Sequence, residues 1–175
     1  EDDLDTDGDT VDDHGRVWLF SLGADLLNTS PTGLAGGPPQ EHAAFGAALA
    51  VGNTNGDPYP DLIVGEPGYD LRTQLDAGRV TLFLGGGTIS DSGWRQFTTS
   101  GALGTTVAVG DSDGDGYDDI AMGAPFSYEV SSLWSVPVTG SVVMIDGNAS
   151  ALTSTQTIAG TEDAQEFGAS VGFLD

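Results

Sequence analysis

Four aspartates near the middle of the chain have the spacing of a metal-binding loop. Asp111, Asp113, Asp115 and Asp119 occupy positions 1, 3, 5 and 9 of a short segment that has glycine at position 4. Alternating carboxylates on a tight turn direct their oxygens toward one centre, and several hard oxygen ligands of this kind suit Ca²⁺. The residues therefore predict a Ca²⁺ site in a loop that leads directly into an apolar stretch.

The same spacing of Asp or Asn side chains occurs in two further loops, again with glycine at position 4. Positions 1, 3, 5 and 9 are Asn53, Asn55, Asp57 and Asp61 in one loop, and Asp5, Asp7, Asp9 and Asp13 in the other. The 53–61 loop carries two carboxylates against four in the 111–119 loop, and charge count is one determinant of Ca²⁺ affinity. We therefore expect the 111–119 loop to bind more tightly, and Asp118, which lies outside the spacing, to point to solvent.

An EF-hand is excluded by the residues at its other obligatory positions. That motif needs glycine at loop position 6 and glutamate at position 12, between two helices. Position 12 of the three loops is Met122, Val64 or Arg16, and position 6 is glycine in the 111–119 loop alone. The flanking residues are β-branched and small, with Gly and Pro between the runs, which indicates strands.

The loops are parts of a longer repeat. Phe45, Leu103 and Phe167 are each followed by glycine and a strand-like run, and they lie 58 and 64 residues apart. A period of this length indicates stacked supersecondary units, each unable to bury its apolar face alone.

Taken together, Phe-Gly, the Asp-rich loop and Gly-Ala-Pro at 123–125 resemble the FG-GAP repeat of integrin α-chain β-propellers and their prokaryotic relatives. The resemblance implies an all-β fold of four-stranded antiparallel blades, with the Ca²⁺ loop joining the first two strands on the lower face. We expect the backbone carbonyls of Tyr117 and Tyr59 to add ligands, and the bound ions to be structural. Leu103 departs from the motif, as does Glu66 in Gly-Glu-Pro, which we interpret as a solvated acid.

The repeat divides the chain into five segments. They are an acidic segment or remnant of a preceding blade (1–14), a partial blade (15–44), two complete blades (45–102 and 103–166) and the first strand of a further blade (167–175). The expected strands lie near 46–52, 61–65, 78–85, 94–98, 104–110, 119–123, 140–146, 155–159 and 168–174. The expected positions between blades are Leu62, Val64, Val80, Leu82, Leu84, Val142 and Met144.

Two complete blades are fewer than the roughly four to eight of known propellers, and three explanations remain open. The chain is a fragment of a larger protein, or residues 1–13 are an acidic Ca²⁺-binding linker, or separate chains complete one another's blades. The last explanation predicts a structural subunit that assembles with its own copies into a filament or ring.

Composition favours an extracellular or cell-surface setting. The net charge is −23 with no lysine and no cysteine, and Ca²⁺ sites of modest affinity fill where Ca²⁺ is abundant. The acid excess argues against nucleic acid and anionic membranes, because phosphates need Lys or Arg partners. No apolar run is long enough to span a bilayer. The lack of lysine together with many aspartates indicates a prokaryotic source.

Partner binding is expected at the connections between second and third strands, 66–77 and 124–139, which the resemblance places on the upper face. Exposed aromatic residues often anchor interfaces, and the candidates are Tyr69, Phe126, Tyr128 and Trp134. The expected function is an adhesion or ligand-binding module for a protein or glycan. No enzyme is expected, because His14 and His42 lie in no recognisable catalytic motif.

Overall fold

The computed structural model describes residues 14–20, 31–72, 74–86, 89, 94–99, 101–126, 128–130, 135–137, 139–149, 155–161 and 166–174. These residues form twelve strands and no helix, and every pair of named strands is antiparallel. No helix long and apolar enough to cross a membrane occurs in this part of the chain.

The first strands form a two-stranded pair, which we call the leading pair. Its members are β1 (Val17–Leu19) and β2 (Thr32–Leu34). They lie within the segment 15–44, which the sequence analysis interprets as a partial blade.

Blade 1 is a four-stranded meander in which each strand pairs with the next along the chain. Its strands are β3 (Ala48–Gly52), β4 (Asp61–Glu66), β5 (Arg79–Phe83) and β6 (Trp94–Thr98). Blade 2 repeats this order with β7 (Thr106–Gly110), β8 (Asp119–Ala124), β11 (Ser141–Ile145) and β12 (Thr155–Ala159), and the hairpin β9 (Tyr128–Val130) and β10 (Ser135–Pro137) lies between β8 and β11. The eight strands predicted for the two blades are confirmed.

The second strand of each blade is buried along its whole length. All six residues of β4 and all six of β8 are buried, and each of these strands has a neighbouring strand on both sides. This explains their nearly continuous apolar sequences, which are typical of strands buried on both faces.

The main core lies between the two blades. Ile63 and Leu82 of blade 1 pack in one cluster with Ile120, Met122 and Ile145 of blade 2. A second cluster lies on the other face of blade 1 and joins Leu62, Val64 and Phe83 to Val17, Leu34 and Phe45. Blade 1 therefore has a packed apolar layer on each side.

Backbones approach closely where the blades meet. A Cβ atom on Gly65 would overlap with the carbonyl oxygen of Gly104, so that only a residue without a side chain fits there. The contact brings the second strand of blade 1 against the segment that leads into β7.

The predicted core positions are correct in blade 1 and out of phase in blade 2. Four of the five predicted in blade 1 are buried, and Leu84 is half-buried against the main core. In β11, however, the core positions are Val143 and Ile145, whereas Val142 and Met144 are half-buried. Both faces of this strand are apolar, so the sequence does not show which face meets blade 1.

Residues 166–174 contain no strand, although a first strand was predicted at 168–174. The segment nevertheless lies beside β7: the Gly168 carbonyl accepts a hydrogen bond from Thr106 Oγ1 at 3.0 Å. Strand structure requires a hydrogen-bonded neighbour, and among the described residues no further strand lies beside this segment.

Candidate metal-binding loops

The 53–60 and 111–118 segments occupy equivalent places in the two blades. Each connects a first strand to a second strand, and the strand ends pair at the base of the loop, Gly52 with Asp61 and Gly110 with Asp119. We call the end of the blades that carries both segments the loop face. The strand pairing closes each loop so that its acidic side chains face one another.

Local hydrogen bonds turn the side chains of the 111–119 loop inward. Asp111 Oδ1 accepts the backbone N–H of Gly114 at 2.7 Å, Asp113 Oδ1 accepts that of Asp115 at 3.1 Å, and Asp115 Oδ1 accepts that of Tyr117 at 2.9 Å. Short Asx turns of this kind are favoured by aspartate and glycine. They fold the three carboxylates back over the same turn.

The result is a compact acidic triad. One carboxylate oxygen from each of Asp111, Asp113 and Asp115 lies within 4.8 Å of the others, and all three residues are exposed. Each pair of charges at this separation repels by about 1 kcal/mol in water. A divalent cation would convert that repulsion into attraction, and oxygen-only donors suit a hard cation.

Asp119 differs from the triad because it is buried and already hydrogen-bonded. Its Oδ2 accepts the backbone N–H of Ser112 at 2.9 Å and also the Ser112 hydroxyl. Its Oδ1 accepts the N–H of Gly147 at 2.9 Å, two residues beyond β11. The carboxylate thus joins the loop, the start of β8 and the end of β11.

Asp61 makes the same three contacts in blade 1. Its Oδ2 accepts the N–H and the hydroxyl of Thr54, at 2.9 Å and 2.6 Å, and its Oδ1 accepts the N–H of Gly85 at 2.7 Å. Sequence reasoning missed the hydroxyl partners. The signal was present, because position 2 is Thr6, Thr54 or Ser112 in the three loops.

In the 53–61 loop, side-chain amides of asparagine donate hydrogen bonds to Asp57. Asn55 Nδ2 donates to Asp57 Oδ2 at 2.9 Å, and Asn53 Nδ2 donates to the Asp57 carbonyl at 2.6 Å. Asp57 Oδ1 accepts the N–H of Tyr59 at 2.8 Å. The same turn is therefore built with fewer negative charges.

Asp118 does not point to solvent, and that expectation was wrong. Its side chain is half-buried, and its Oδ2 accepts the backbone N–H of Asn53 at 2.6 Å. In return the Asp118 N–H donates to the Asn53 carbonyl at 2.9 Å. The packing of the two blades places the loops side by side, which the sequence of one loop does not reveal.

Two of the four candidate partner-binding residues, Tyr69 and Phe126, are described with their side chains, and they lie at the opposite end of the blades from the loop face. Phe126 is 47% exposed. Tyr69 is half-buried, with the guanidinium carbon of Arg79 lying 3.8 Å from its ring centre. Tyr128 belongs to β9, but its side chain, like Trp134 and the loop residues Asp5, Asp7, Asp9 and Asp13, lies outside the described residues.

Comparison with known proteins agrees with this architecture. Residues 45–83 and 103–143 match the family model of the FG-GAP repeat. Integrin alpha-PS2 of Drosophila melanogaster is 34% identical over 93 residues, covering 47% of this chain and 7% of that protein. Integrin alpha-3 of Mus musculus is 37% identical over 92 residues, covering 50% of this chain and 9% of that protein.

An enzyme contains a similar segment. Phosphatidylinositol-glycan-specific phospholipase D of Bos taurus is 34% identical over 99 residues, covering 48% of this chain and 11% of that protein. The chain therefore spans only a small part of each of these relatives. Residues 45–83 and 103–143 are similar to FG-GAP repeats, the chain is similar to integrin α chains over about half of its length, and its two four-stranded antiparallel sheets are β-propeller blades of this type.

Proposed function

We propose that this chain is a Ca²⁺-binding section of an extracellular or cell-surface β-propeller that binds a protein or glycan ligand. The observation that carries the metal part is the triad of exposed carboxylates in the 111–119 loop, whose oxygens lie within 4.8 Å of one another. These groups sit on a turn in which their own carboxylates accept backbone N–H groups of the loop, and the strand pair at the base of the loop holds that turn closed.

The proposed ligand set includes a buried member. Asp111, Asp113 and Asp115 supply one oxygen each, and the carbonyl of Tyr117 adds another. A carboxylate has about four acceptor sites, and Asp119 uses three of them internally. One acceptor site remains, and through it Asp119 is the proposed fourth carboxylate ligand, although its oxygens lie outside the cluster that the triad forms.

The 53–61 loop is the proposed weaker site. Its ligands are the side chains of Asn53, Asn55, Asp57 and Asp61 with the Tyr59 carbonyl. Asn55 must release its amide hydrogen bond to Asp57 before that carboxylate is free for a cation, which lowers the affinity. The spacing alone supports a third site in the 5–13 loop.

Ca²⁺ is expected to stabilise the wild-type chain. Binding to the folded state at about a hundred times the dissociation constant contributes about 2.7 kcal/mol, or roughly 5–10 °C in melting temperature for a domain of this size. Melting in Ca²⁺ and in EGTA, with calorimetric titration, tests this.

Replacing Asp113 and Asp115 by alanine should remove most of that shift, because two of the three triad carboxylates are lost. The matched control is Glu41→Ala, which removes an exposed carboxylate outside the loops and should leave it unchanged. Equal melting temperatures in Ca²⁺ and EGTA, with no heat of binding, would show that the loops bind no metal.

Phe126 is the described residue that best supports a partner surface. It lines a groove of about 380 Å³ with Pro67, Gly68, Ala102 and Thr105, at the end of the blades opposite the loop face. An exposed aromatic ring beside an apolar groove is a common interface anchor. Tyr69 contributes less, because Arg79 already covers its ring.

A glycan array and a protein-interaction screen would identify ligands, and Phe126→Ala should then weaken binding at least tenfold without lowering the melting temperature. Tyr128→Ala and Trp134→Ala extend the test. Unchanged affinity in all three variants would place the ligand elsewhere.

The net charge of −23 makes a nucleic acid ligand unfavourable, because phosphates would be repelled.

Assembly with other copies is the second candidate. Leu49 and Val51 of β3 are 54% and 64% exposed, on the face of β3 opposite Gly52, which meets Val109 of β7. That apolar face fits another blade of the same repeat. Light scattering after size exclusion separates the two candidates, because blades completed between chains give a defined multiple of the chain mass.

A further inference from the structure

The two candidate metal-binding loops contact each other across the interface between blade 1 and blade 2. The carbonyl of Asn53 accepts the N–H of Asp118 at 2.9 Å, and the N–H of Asn53 donates to Asp118 Oδ2 at 2.6 Å. The first residue of one loop is thus held at two points by the eighth residue of the next. Hydrogen bonds to a charged acceptor are among the stronger ones in proteins.

A second contact lies beside this bridge. A Cβ atom on Gly56 would lie 3.0 Å from Cδ1 and 3.3 Å from Cζ of Tyr117, so the ring of Tyr117 rests on the backbone of the 53–61 loop. Gly56 has a φ of 73°, a conformation that glycine adopts without strain. Residues from both loops are therefore fixed relative to one another, including Tyr117, whose carbonyl is a proposed ligand.

We propose that Asp118 couples the two loops, so that Ca²⁺ bound in the 111–119 loop raises the affinity of the 53–61 loop for Ca²⁺. This inference rests on the proposed function. A cation held by Asp119 and the Tyr117 carbonyl orders the backbone on both sides of Asp118. Asp118 then holds Asn53 in place. The 53–61 loop therefore loses less conformational entropy when it binds the second cation.

The sign of the effect separates this coupling from simple electrostatics. Two cations in neighbouring loops repel each other, so loops without a bridge would show independent binding or a weakened second step. The Asp118 carboxylate lies between the loops and transmits order from one to the other. Positive coupling is reciprocal, so the 53–61 loop must raise the affinity of the 111–119 loop by the same factor.

Two-dimensional NMR can follow each loop separately during a Ca²⁺ titration. The Gly56 amide donates to Asn53 Oδ1 and the Gly114 amide to Asp111 Oδ1, so each resonance reports its own loop. The titration is run on the full chain and on the variant with Asp113→Ala and Asp115→Ala, which disables the 111–119 loop. We expect the dissociation constant reported by Gly56 to be about five to ten times higher in the disabled variant.

Substitutions at Asp118 assign this factor to its side chain. In Asp118→Ala the factor should fall to about one, because the acceptor for the Asn53 N–H is lost. Asp118→Asn should keep most of it, since its amide oxygen can accept the same hydrogen bond while the charge is removed. A purely structural role for Asp118 would lower stability in both backgrounds and leave the factor unchanged.

Three results would overturn the inference, each in a distinguishable way. If Gly56 reports the same affinity whether or not the 111–119 loop is disabled, both sites bind but are independent. If the factor survives in Asp118→Ala, the coupling runs through another contact. If neither glycine resonance responds to Ca²⁺, the proposed metal binding itself is wrong. The first comparison needs no variant at Asp118, so equal affinities there overturn the inference even if Asp118→Ala folds poorly.

Discussion

Replacing Asp119 by alanine is expected to lower the free energy of unfolding by about 3–5 kcal/mol even in EGTA. The carboxylate is 1% exposed and accepts three hydrogen bonds, two from Ser112 and one from Gly147. Hydrogen bonds to charged groups contribute roughly 1.5–3 kcal/mol each. The substitution also leaves the buried N–H of Gly147 without its acceptor. Chemical denaturation in EGTA measures the effect without any contribution from metal.

Asp113→Ala is the control within the same loop. Asp113 is exposed and belongs to the triad, so in EGTA its removal should change stability by less than about 0.5 kcal/mol. In Ca²⁺ both variants should lose stability, because both remove a proposed ligand. A loss below about 1 kcal/mol for Asp119→Ala in EGTA would contradict the structural role of the buried carboxylate.

Much of the blade architecture could be predicted because strong local signals mark its strands. The Asp-rich loop marks the start of β4 and β8, and the glycine–proline turn marks their end. The short apolar run between these two signals is therefore predicted to be a strand. Gly78 and Gly140 mark the start of the third strands in the same way. The repeat then carried the assignment from one blade to the next.

The contacts between units were not predictable, since they depend on how blades pack. Asp118 looked like a solvated acid because its partner, Asn53, lies 65 residues away. The predicted core face of β11 was wrong for the same reason. Both of its faces are apolar, and only the position of blade 1 determines that Val143 and Ile145 lie in the core. Position 9 was predicted as a metal ligand, but its hydrogen bonds to residues just beyond the third strand depend on the closed blade.

The partners of Glu66, at the opposite end of the blade, were also not predictable from the sequence. It was interpreted as a solvated acid, yet it is 2% exposed and accepts a hydrogen bond from Arg79 Nε at 2.5 Å. Arg79 is itself buried, with its guanidinium group against the ring of Tyr69. Partner and cover both come from residues at least three positions away, so the turn sequence alone could not show them.

Arg79→Met is the second substitution with a large expected effect, about 3–5 kcal/mol of unfolding free energy at pH 7. Methionine keeps an unbranched apolar chain but removes the only described cation that bonds to Glu66. The carboxylate would then stay buried without a partner, which is more costly than the pair itself is stabilising. Chemical denaturation of wild type and variant at several pH values measures both the size of the effect and its dependence on protonation.

The pH dependence follows from the groups around Glu66. Burial is the largest influence and raises the pKa of Glu66 above 4.5, while the hydrogen bond and charge of Arg79 lower it, with a smaller contribution from His14. Losing Arg79 removes the main opposing influence, so the folded variant holds the proton to higher pH than the unfolded chain does. Where the folded state binds more protons, stability falls as pH rises. The cost of Arg79→Met should therefore be smallest below pH 4.5 and grow above it.

A double-mutant cycle with Glu66→Gln isolates the pair. Glutamine has no charge to leave unpaired, so Arg79→Met should cost clearly less in that background, and its cost should no longer depend on pH through this site. Equal costs in the two backgrounds would mean that Arg79 acts by packing on Tyr69 alone. A cost that shrinks as pH rises would contradict the sign of the pKa shift. A carboxyl group with a higher pKa in the folded state than in the unfolded state makes the protein less stable as pH rises.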